Sequence, residues 1–144
     1  MNILVLHGPN LNLLGEREPQ VYGAMTLAQL NAKLRTHARK RGASVRIFQS
    51  NSEGRLIDWI HKYRKWADGL VFNPGAFTHY SYALRDAVAA SQIKTVEAHL
   101  SNVMKREAFR RESVIAPVCA AKFYGKGLRS YLDGIDFLIQ GDKR

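Results

Sequence analysis

Short apolar runs alternate with longer segments of helical periodicity along the 144 residues of the chain. The runs predict five strands, at residues 3–6, 45–48, 70–72, 94–98 and 115–118. Runs that are apolar throughout and end in turn residues are typical of strands buried on both faces. Strands that alternate with helices pair in parallel, so the pattern predicts an α/β fold, a doubly wound parallel sheet. Five strands at this length favour the flavodoxin-like order 2-1-3-4-5.

The segments between the runs predict five helices. The first begins at a capping box, in which Gln29 follows Thr26 by three residues, and it ends at Gly42. The others are expected at residues 56–63, 82–90, 102–111 and 128–139. Ligands of such folds bind outside the carboxyl ends of the strands. We therefore expect the chemistry in the loops after strands one, three and four.

The length, composition and charge of the chain exclude several classes of protein. The chain has the size of one domain, so we expect a single domain over residues 1–144. No apolar run approaches the ~18 residues of a membrane helix, and no signal-like opening is present, so we expect no membrane partner. Cys119 is the only cysteine, which excludes a disulfide framework and makes the cytoplasm the expected compartment. The net charge of +10 favours anionic partners without identifying them.

The loop after the first strand, residues 8–23, is long for a connection that usually takes about 2–6 residues. It lacks the Gly-Lys-Ser/Thr ending of a Walker loop and the glycine spacing of a dinucleotide fingerprint. It does carry Asn10, Arg17 and Tyr22 between flanking glycines. The loop either presents these polar groups to a site or is a surface excursion with a solvated arginine and a packing tyrosine.

The loop after the third strand begins with Asn73, followed by a Pro-Gly pair that marks a tight turn. We expect the Asn73 amide to face the crevice. His79 stands at the start of the next predicted helix, and Asp86 follows two helical turns later, so both are expected on one helix face. The alternative interpretation is a capping turn with a surface histidine.

The fourth strand ends in Glu97 and His99, which point to the same side of a strand. A histidine at this position suits acid–base chemistry, and Glu97 is expected to hold one of its ring nitrogens. The amides of Leu100 and Ser101 precede a predicted helix, where they are expected to receive a carboxylate. Arg110 lies further along that segment. No HxH, HExxH or Gly-x-Ser-x-Gly pattern is present, so neither a metal site nor a serine hydrolase is expected.

Taken together and in this order, the motifs resemble type II 3-dehydroquinate dehydratases. The motifs are GPNLNLLG at 8–15, REP at 17–19, YG at 22–23, N-x-EG at 51–54, DWI at 58–60, NPGA at 73–76, TH at 78–79, RD at 85–86, E-x-HLSN at 97–102 and FR at 109–110. The resemblance runs from residue 3 to about residue 118. It implies a flavodoxin-like fold, no cofactor or metal, a role in the shikimate pathway, and a homo-oligomer, a dodecamer built from trimers.

The resemblance also implies the reaction, an anti elimination of water from 3-dehydroquinate to 3-dehydroshikimate through an enolate. In that scheme Tyr22 is the base that removes the C2 proton, and Arg17 stabilises it as tyrosinate. His99 is the general acid toward the C1 hydroxyl, with Glu97 as its partner, and Asn10 stabilises the enolate oxygen through water.

Substrate binding is implied in the same way. The amides of Leu100 and Ser101 receive the carboxylate, while the hydroxyls contact Asn73, His79 and Arg110. Asp86 matches a family position that reaches the site of a neighbouring subunit. The chain departs from the family at His7, where asparagine is more usual, and at residues 119–127, where family members tend to be glycine-rich and apolar.

Three other functions compete with this one. Basic clusters at residues 35–41 and 105–111 would suit a nucleic-acid-binding protein, but no recognised nucleic-acid module is present, so nucleic acid is not an expected partner. An inactive relative would keep the fold and bind a related acid, although Arg17, Tyr22 and His99 are intact. An FMN protein would fit the fold, but the first loop lacks a Ser/Thr-rich phosphate cradle.

Overall fold

Five parallel strands form one sheet in the order β2-β1-β3-β4-β5. The strands are β1 (Asn2–His7), β2 (Ser44–Gln49), β3 (Gly69–Asn73), β4 (Lys94–Ala98) and β5 (Ala121–Phe123). The coordinates are a computed structural model that describes residues 1–142, apart from the side chains of Tyr22 and Asp142. The predicted α/β fold, with its flavodoxin-like strand order 2-1-3-4-5, is confirmed.

Helices cover both faces of this sheet. They are α1 (Pro19–Tyr22), α2 (Leu27–Lys40), α3 (Glu53–Tyr63), α4 (Tyr82–Ser91) and α5 (Leu128–Asp142). The predicted capping box opens α2, since the Gln29 amide donates to Thr26 Oγ1 and the Thr26 amide donates to Gln29 Oε1. The short helix α1, inside the loop after β1, is not predicted by the sequence pattern.

Side chains of the central strands point alternately into two apolar cores. From β1, Ile3 and Val5 pack toward α2 and α5, whereas Leu4 and Leu6 pack toward α3 and α4. All four side chains are fully buried, and each contributes about 1.5–3 kcal/mol to the free energy of unfolding. Two filled cores fix the sheet, so its carboxyl edge is a rigid platform for the loops.

The position of the fifth strand is predicted wrongly. Residues 115–118 are an apolar run, but Pro117 has no amide hydrogen for a sheet ladder, and Ala116–Val118 forms a turn of 3₁₀-helix. Only Ile115 of this run is fully buried. The true strand, Ala121–Phe123, is three half-buried residues at the edge of the sheet, with Lys122 at its centre. Such a strand lacks the apolar pattern by which a buried strand is recognised.

Two helical expectations are also wrong. The segment 102–111 is not one helix but two 3₁₀ turns, Val103–Lys105 and Ala108–Arg110, because it carries no apolar stripe that a longer helix would bury. His79 ends the separate 3₁₀-helix Gly75–His79, and Ser81 caps α4, so His79 and Asp86 do not share a helix face.

The loops after β1 and β3 meet at Gly8. The Gly8 amide donates to the Asn73 carbonyl at 2.7 Å, and a Cβ atom on residue 8 would collide with the backbone of Pro74. Glycine is therefore required here, and its absence of a side chain lets the two loops approach each other and share one cleft.

We expect Gly8→Ala to lower the free energy of unfolding by about 1–3 kcal/mol, because the added methyl group meets backbone that cannot move aside. Urea denaturation measures the change. Gly54→Ala is the matched control, since a Cβ there lies 3.9 Å from its nearest neighbour, Ser52 Oγ. The control should be no less stable than wild type, and an equal loss in both variants would contradict the role given to Gly8.

Candidate active site

A cleft of about 520 Å³ opens at the carboxyl edge of the sheet. It is formed by the loops after β1, β3 and β4, where the sequence places the chemistry. Predicted site residues that line it are Asn10, Arg17, Asn73, His79, His99, Leu100, Ser101 and Arg110.

Three predicted site residues stand apart from this lining. Glu97 is fully buried behind His99 and contacts it directly. Asp86 is exposed on α4, outside this cleft. The side chain of Tyr22 lies outside the described part of the chain, although its backbone ends helix α1 in the loop that borders the cleft.

The pair formed by His99 and Glu97 is the central feature of the cleft. His99 Nε2 donates to Glu97 Oε2 at 2.5 Å, so the predicted contact is present. The carboxylate is fully buried and the histidine is 6% exposed. Because Nε2 is held by the carboxylate, Nδ1 is the ring nitrogen left for a ligand.

Glu97 is held ionised by hydroxyl and charged partners. Thr78 Oγ1 donates to Oε2 at 2.9 Å, Ser113 Oγ donates to Oε1 at 2.6 Å, and Lys122 Nζ lies 3.9 Å from Oε2. Burial raises the pKa of Glu97, but the hydrogen bond and charge of His99, with the contributions of Ser113 and Lys122, bring this pKa below its ordinary value. An ionised carboxylate at this position accepts from His99 Nε2 and fixes the orientation of the ring.

His79 has the opposite character. Its Nδ1 donates to the Glu112 carbonyl at 2.6 Å, which leaves Nε2 as an acceptor toward the cleft. Burial lowers the pKa of His79 despite that hydrogen bond, and the positive charges of His99 and Arg110 lower it further. A neutral His79 is suited to accepting a hydrogen bond from a ligand hydroxyl.

Three arginines line the cleft, Arg17, Arg106 and Arg110, whereas no aspartate or glutamate is among the described residues that line it. This distribution of charge suits an anionic ligand, and the planar guanidinium group suits a carboxylate. Arg106 is missed as a site residue by sequence reasoning, which assigns it only to a basic cluster. Arg106 Nη2 also lies 3.7 Å from Glu18 Oε2. This ion pair connects the loop after β4 to the loop after β1.

The backbone amides of Leu100 and Ser101 are placed at the floor of the cleft. The Leu100 carbonyl accepts from the Gly127 amide at 3.0 Å, which fixes this stretch of backbone. Within residues 1–142, neither of the two amides takes part in a main-chain hydrogen bond. They precede a single 3₁₀ turn rather than the expected helix, so an anion would be bound by direct donation rather than by a helix dipole.

Asn10 lies at the rim of the cleft, and its backbone adopts a conformation that is unfavourable for most residues. Its φ of 70° lies in the left-handed region, which asparagine adopts more readily than most residues. The Asn10 amide donates to Asn51 Oδ1 at 3.0 Å, and Gln49 Nε2 donates to the same oxygen at 3.1 Å. Asn51 belongs to a motif of the resemblance, but its support of Asn10 becomes visible only in the structure.

The Asn73 amide is fixed on one side, because its Oδ1 accepts from the Gly75 amide at 3.0 Å. A separate chain of polar groups lies in the core: the Tyr131 hydroxyl lies 2.9 Å from His7 Nδ1, and His7 Nε2 lies 2.8 Å from Asn31 Oδ1. Burial lowers the pKa of His7 to about 4, although the hydrogen bond with Asn31 raises it. His7 is therefore neutral at neutral pH.

We expect the free energy of unfolding to fall as the pH drops from about 6.5 to about 4, because the unfolded histidine binds a proton that the folded one excludes. The loss between pH 7 and pH 5 is about 2 kcal/mol, following from the pKa of about 4 in the folded chain against ~6.5 unfolded. Urea denaturation at the two pH values measures it. The variant His7→Asn lacks this titration, so an equal pH dependence in wild type and variant would contradict the assignment.

Comparisons with known proteins agree with this geometry. A family model described as Dehydroquinase class II matches residues 1–139. The chain is 58% identical over 132 residues to a 3-dehydroquinate dehydratase of Pelotomaculum thermopropionicum, covering 92% of both chains. The type II dehydroquinase structure from Butyrivibrio crossotus aligns with a TM-score of 0.94 and 47% identity, covering 96% of this chain and 97% of that one. The one from Propionibacterium acnes aligns with a TM-score of 0.93 and 39% identity, covering 96% of each.

The match of the family model extends over nearly the whole chain, and relatives of more than half identity cover over nine-tenths of it. Eight of the eleven site residues predicted from the sequence line the cleft, at the edge of a sheet with the flavodoxin-like strand order. The chain belongs to the class II dehydroquinase family of enzymes.

Proposed function

We propose that the chain is a 3-dehydroquinate dehydratase, a hydro-lyase that converts 3-dehydroquinate to 3-dehydroshikimate in the shikimate pathway. The observation that carries the proposal is the His99–Glu97 pair in a cleft lined by three arginines and, among its described lining residues, no carboxylate. The pair supplies a proton donor, and the arginines supply the field for an anionic substrate. The family and the names of the relatives support the same reaction.

The first step in this mechanism removes the proton at C2 and leaves an enolate. Tyr22 acts as the base, as tyrosinate, and returns to the neutral phenol when it takes the proton. Arg17, which lines the cleft, provides the nearby cation that lowers the free energy of a tyrosinate. Asn10 stabilises the developing enolate oxygen through a water molecule.

The second step expels the C1 hydroxyl as water. His99, in its protonated form, gives the Nδ1 proton to the leaving oxygen, the enolate electrons form the C1–C2 double bond, and the C1–O bond breaks. The hydrogen bond from Nε2 to Glu97 holds the ring in place during the transfer. Because the proton and the hydroxyl leave from opposite faces, Tyr22 and His99 act on opposite sides of the substrate.

The other residues that line the cleft bind the substrate. The amides of Leu100 and Ser101 bind the carboxylate, and Asn73, His79 and Arg110 bind the hydroxyls. The neutral state of His79 supports its role as an acceptor, because a hydroxyl donates readily to a free ring nitrogen.

Assembly and location are part of the proposal. We infer one catalytic domain over residues 1–144, a homododecamer built from trimers, and a location in the cytoplasm, with neither nucleic acid nor membrane as a partner. Asp86, exposed on α4, is available to the site of a neighbouring subunit. None of the helices within residues 1–142 combines the length and the apolar character needed to cross a bilayer.

Two samples of 3-dehydroquinate, each deuterated at one of the two C2 positions, test the reaction and its stereochemistry. We expect NMR to show 3-dehydroshikimate that has lost the C2 hydrogen on the face opposite the C1 hydroxyl. Loss of the other hydrogen would contradict the anti course, and the absence of product from folded protein would contradict the dehydratase proposal.

A further inference from the structure

Lys122 brings a positive charge to the buried side of the His99–Glu97 pair and takes no part in the mechanism above. In the parallel pairing of β4 with β5, Lys122 stands directly opposite Glu97. The preceding pair in this register, Val96 and Ala121, packs into the core on the opposite face of the sheet. Because side chains alternate along a strand, Lys122 and Glu97 share the other face. The register of the sheet therefore brings the two charged groups together.

The Lys122 ammonium group lies close to the carboxylate. Its Nζ is 3.9 Å from Glu97 Oε2, the same oxygen to which His99 Nε2 donates at 2.5 Å. The Nζ atom also lies 5.6 Å from the centre of the Tyr124 ring, which is a cation–π contact. An ion pair and an aromatic ring thus hold this ammonium group beside the pair.

The burial of Lys122 distinguishes it from a lysine that only protects the edge of a sheet. Edge strands often carry lysines that discourage pairing with other chains, and such lysines extend into water. The side chain of Lys122 is 22% exposed, whereas that of Lys126 is 69% exposed. Both lie in residues 119–127, where the chain departs from the apolar sequence of its family. The charge of Lys122 is therefore directed into the protein.

The other described groups around Glu97 bring no fixed charge. Apart from His99 and Lys122, they are Thr78, Ser113, Cys119 and His79. The first two donate hydroxyl hydrogens. Burial keeps the other two neutral, because it raises the pKa of the Cys119 thiol to about 12 and lowers the pKa of the His79 ring. On the cleft side, His99 shares the lining with Arg17, Arg106 and Arg110, which stay in place in every variant below.

A positive charge beside the pair opposes the uptake of a proton by either of its members. His99 and Glu97 share a short hydrogen bond, so they titrate as a unit. Acid catalysis requires the state in which the histidine holds its proton and the carboxylate holds none. Without the lysine charge, both limits of that state should move to higher pH.

We propose that Lys122 is a positioning residue that acts through its ion pair with Glu97 and sets the pH range in which the His99–Glu97 pair delivers a proton to the substrate. It acts from outside the cleft, since it is not among the residues that line it. This inference rests on the proposed function, because the proton is delivered to the leaving hydroxyl of 3-dehydroquinate.

Lys122→Met tests the inference, because it removes the charge and keeps an unbranched side chain. We expect the pH profile of kcat to move to higher pH by about one unit, the lower end of the effect of a charge at this distance. KM at neutral pH should stay within about threefold, because Lys122 does not line the cleft. Lys122→Arg keeps the charge and should restore the wild-type profile.

Lys126→Met is the matched control. It removes the same charge from the same stretch of chain, and from an ion pair of equal length, since Lys126 Nζ lies 3.9 Å from Asp133 Oδ2. Neither residue of that pair lines the cleft, so we expect no shift of the profile. An equal shift in both variants would assign the effect to net charge and overturn the inference. An unchanged profile in Lys122→Met would overturn it as well, while the wild-type enzyme remains a dehydratase.

The titration of the pair can also be followed without turnover. Nitrogen chemical shifts of ¹⁵N-labelled histidine report the pH at which the His99 ring takes up its proton, and the loss of a signal in His99→Ala identifies that ring. We expect this midpoint to rise by about one unit in Lys122→Met and to stay unchanged in Lys126→Met. A midpoint that does not move in Lys122→Met would overturn the inference. A midpoint that moves in a chain without turnover would overturn the proposed function and leave the electrostatic link between Lys122 and the pair standing.

Discussion

Turnover of 3-dehydroquinate is expected to be lost in Tyr22→Phe, with a fall in kcat of at least about 10³-fold, within the range that general base catalysis contributes. Phenylalanine keeps the ring and removes only the oxygen that accepts the C2 proton. The groups that bind the substrate, which are the amides of Leu100 and Ser101 and the side chains of Asn73, His79 and Arg110, are unchanged. The Kd for the substrate should therefore stay within about threefold. Calorimetric titration of the inactive variant with 3-dehydroquinate measures that Kd directly.

The control for this variant is Tyr63→Phe, which removes the hydroxyl of a half-buried tyrosine in α3 and should keep wild-type turnover. Near wild-type kcat in Tyr22→Phe would exclude Tyr22 as the base. Loss of binding together with turnover would give Tyr22 a role in substrate recognition instead.

The second large effect is expected in His99→Ala, with a fall in kcat of about 10²–10⁴-fold. The variant removes the proton donor and leaves Glu97 as a buried carboxylate without its closest partner, while Thr78, Ser113 and Lys122 still solvate it. The expectation is therefore a folded but slow enzyme. Added imidazole, which fits the space of the missing ring, should restore part of the rate, and initial rates with and without it measure the rescue.

His61→Ala is the control for the removal of a histidine, because His61 is exposed on α3, away from the cleft. It should retain wild-type turnover. A fall of less than about tenfold in His99→Ala would assign the proton transfer to another group or to water.

Strands β1 and β3 follow from the sequence because their middle residues are apolar on both faces, and this pattern is visible residue by residue. The edge strand β5 is hidden because only one side of it is paired, so Lys122 can stand in it without being buried in an apolar core. Its neighbour 115–118 has the apolar character of a strand but contains Pro117. At the edge of a sheet, pairing therefore depends on the backbone groups of the neighbouring strand. The local sequence pattern carries no information about that neighbour.

The sequence likewise predicts some residues of the candidate site and not others. Residues at the ends of strands, such as Asn73 and His99, are predictable because the carboxyl ends of parallel strands meet at one edge. The groups around them are not, since Thr78 and Ser113, which donate to Glu97 behind His99, lie far from it in sequence and carry no pattern of their own. Arg106 is ambiguous for another reason, because an arginine in a basic segment is equally typical of a solvated surface.

The most direct test of the account is the initial rate at which the enone absorbance of 3-dehydroshikimate appears when purified protein meets 3-dehydroquinate in the presence of EDTA. Because no metal is required in this mechanism, the chelator should leave the rate unchanged, and the rate should vanish in Tyr22→Phe. Folded wild-type protein that produces no enone would contradict the assignment as a dehydratase. Turnover that EDTA abolishes would contradict the metal-independent acid–base mechanism assigned to Tyr22 and His99.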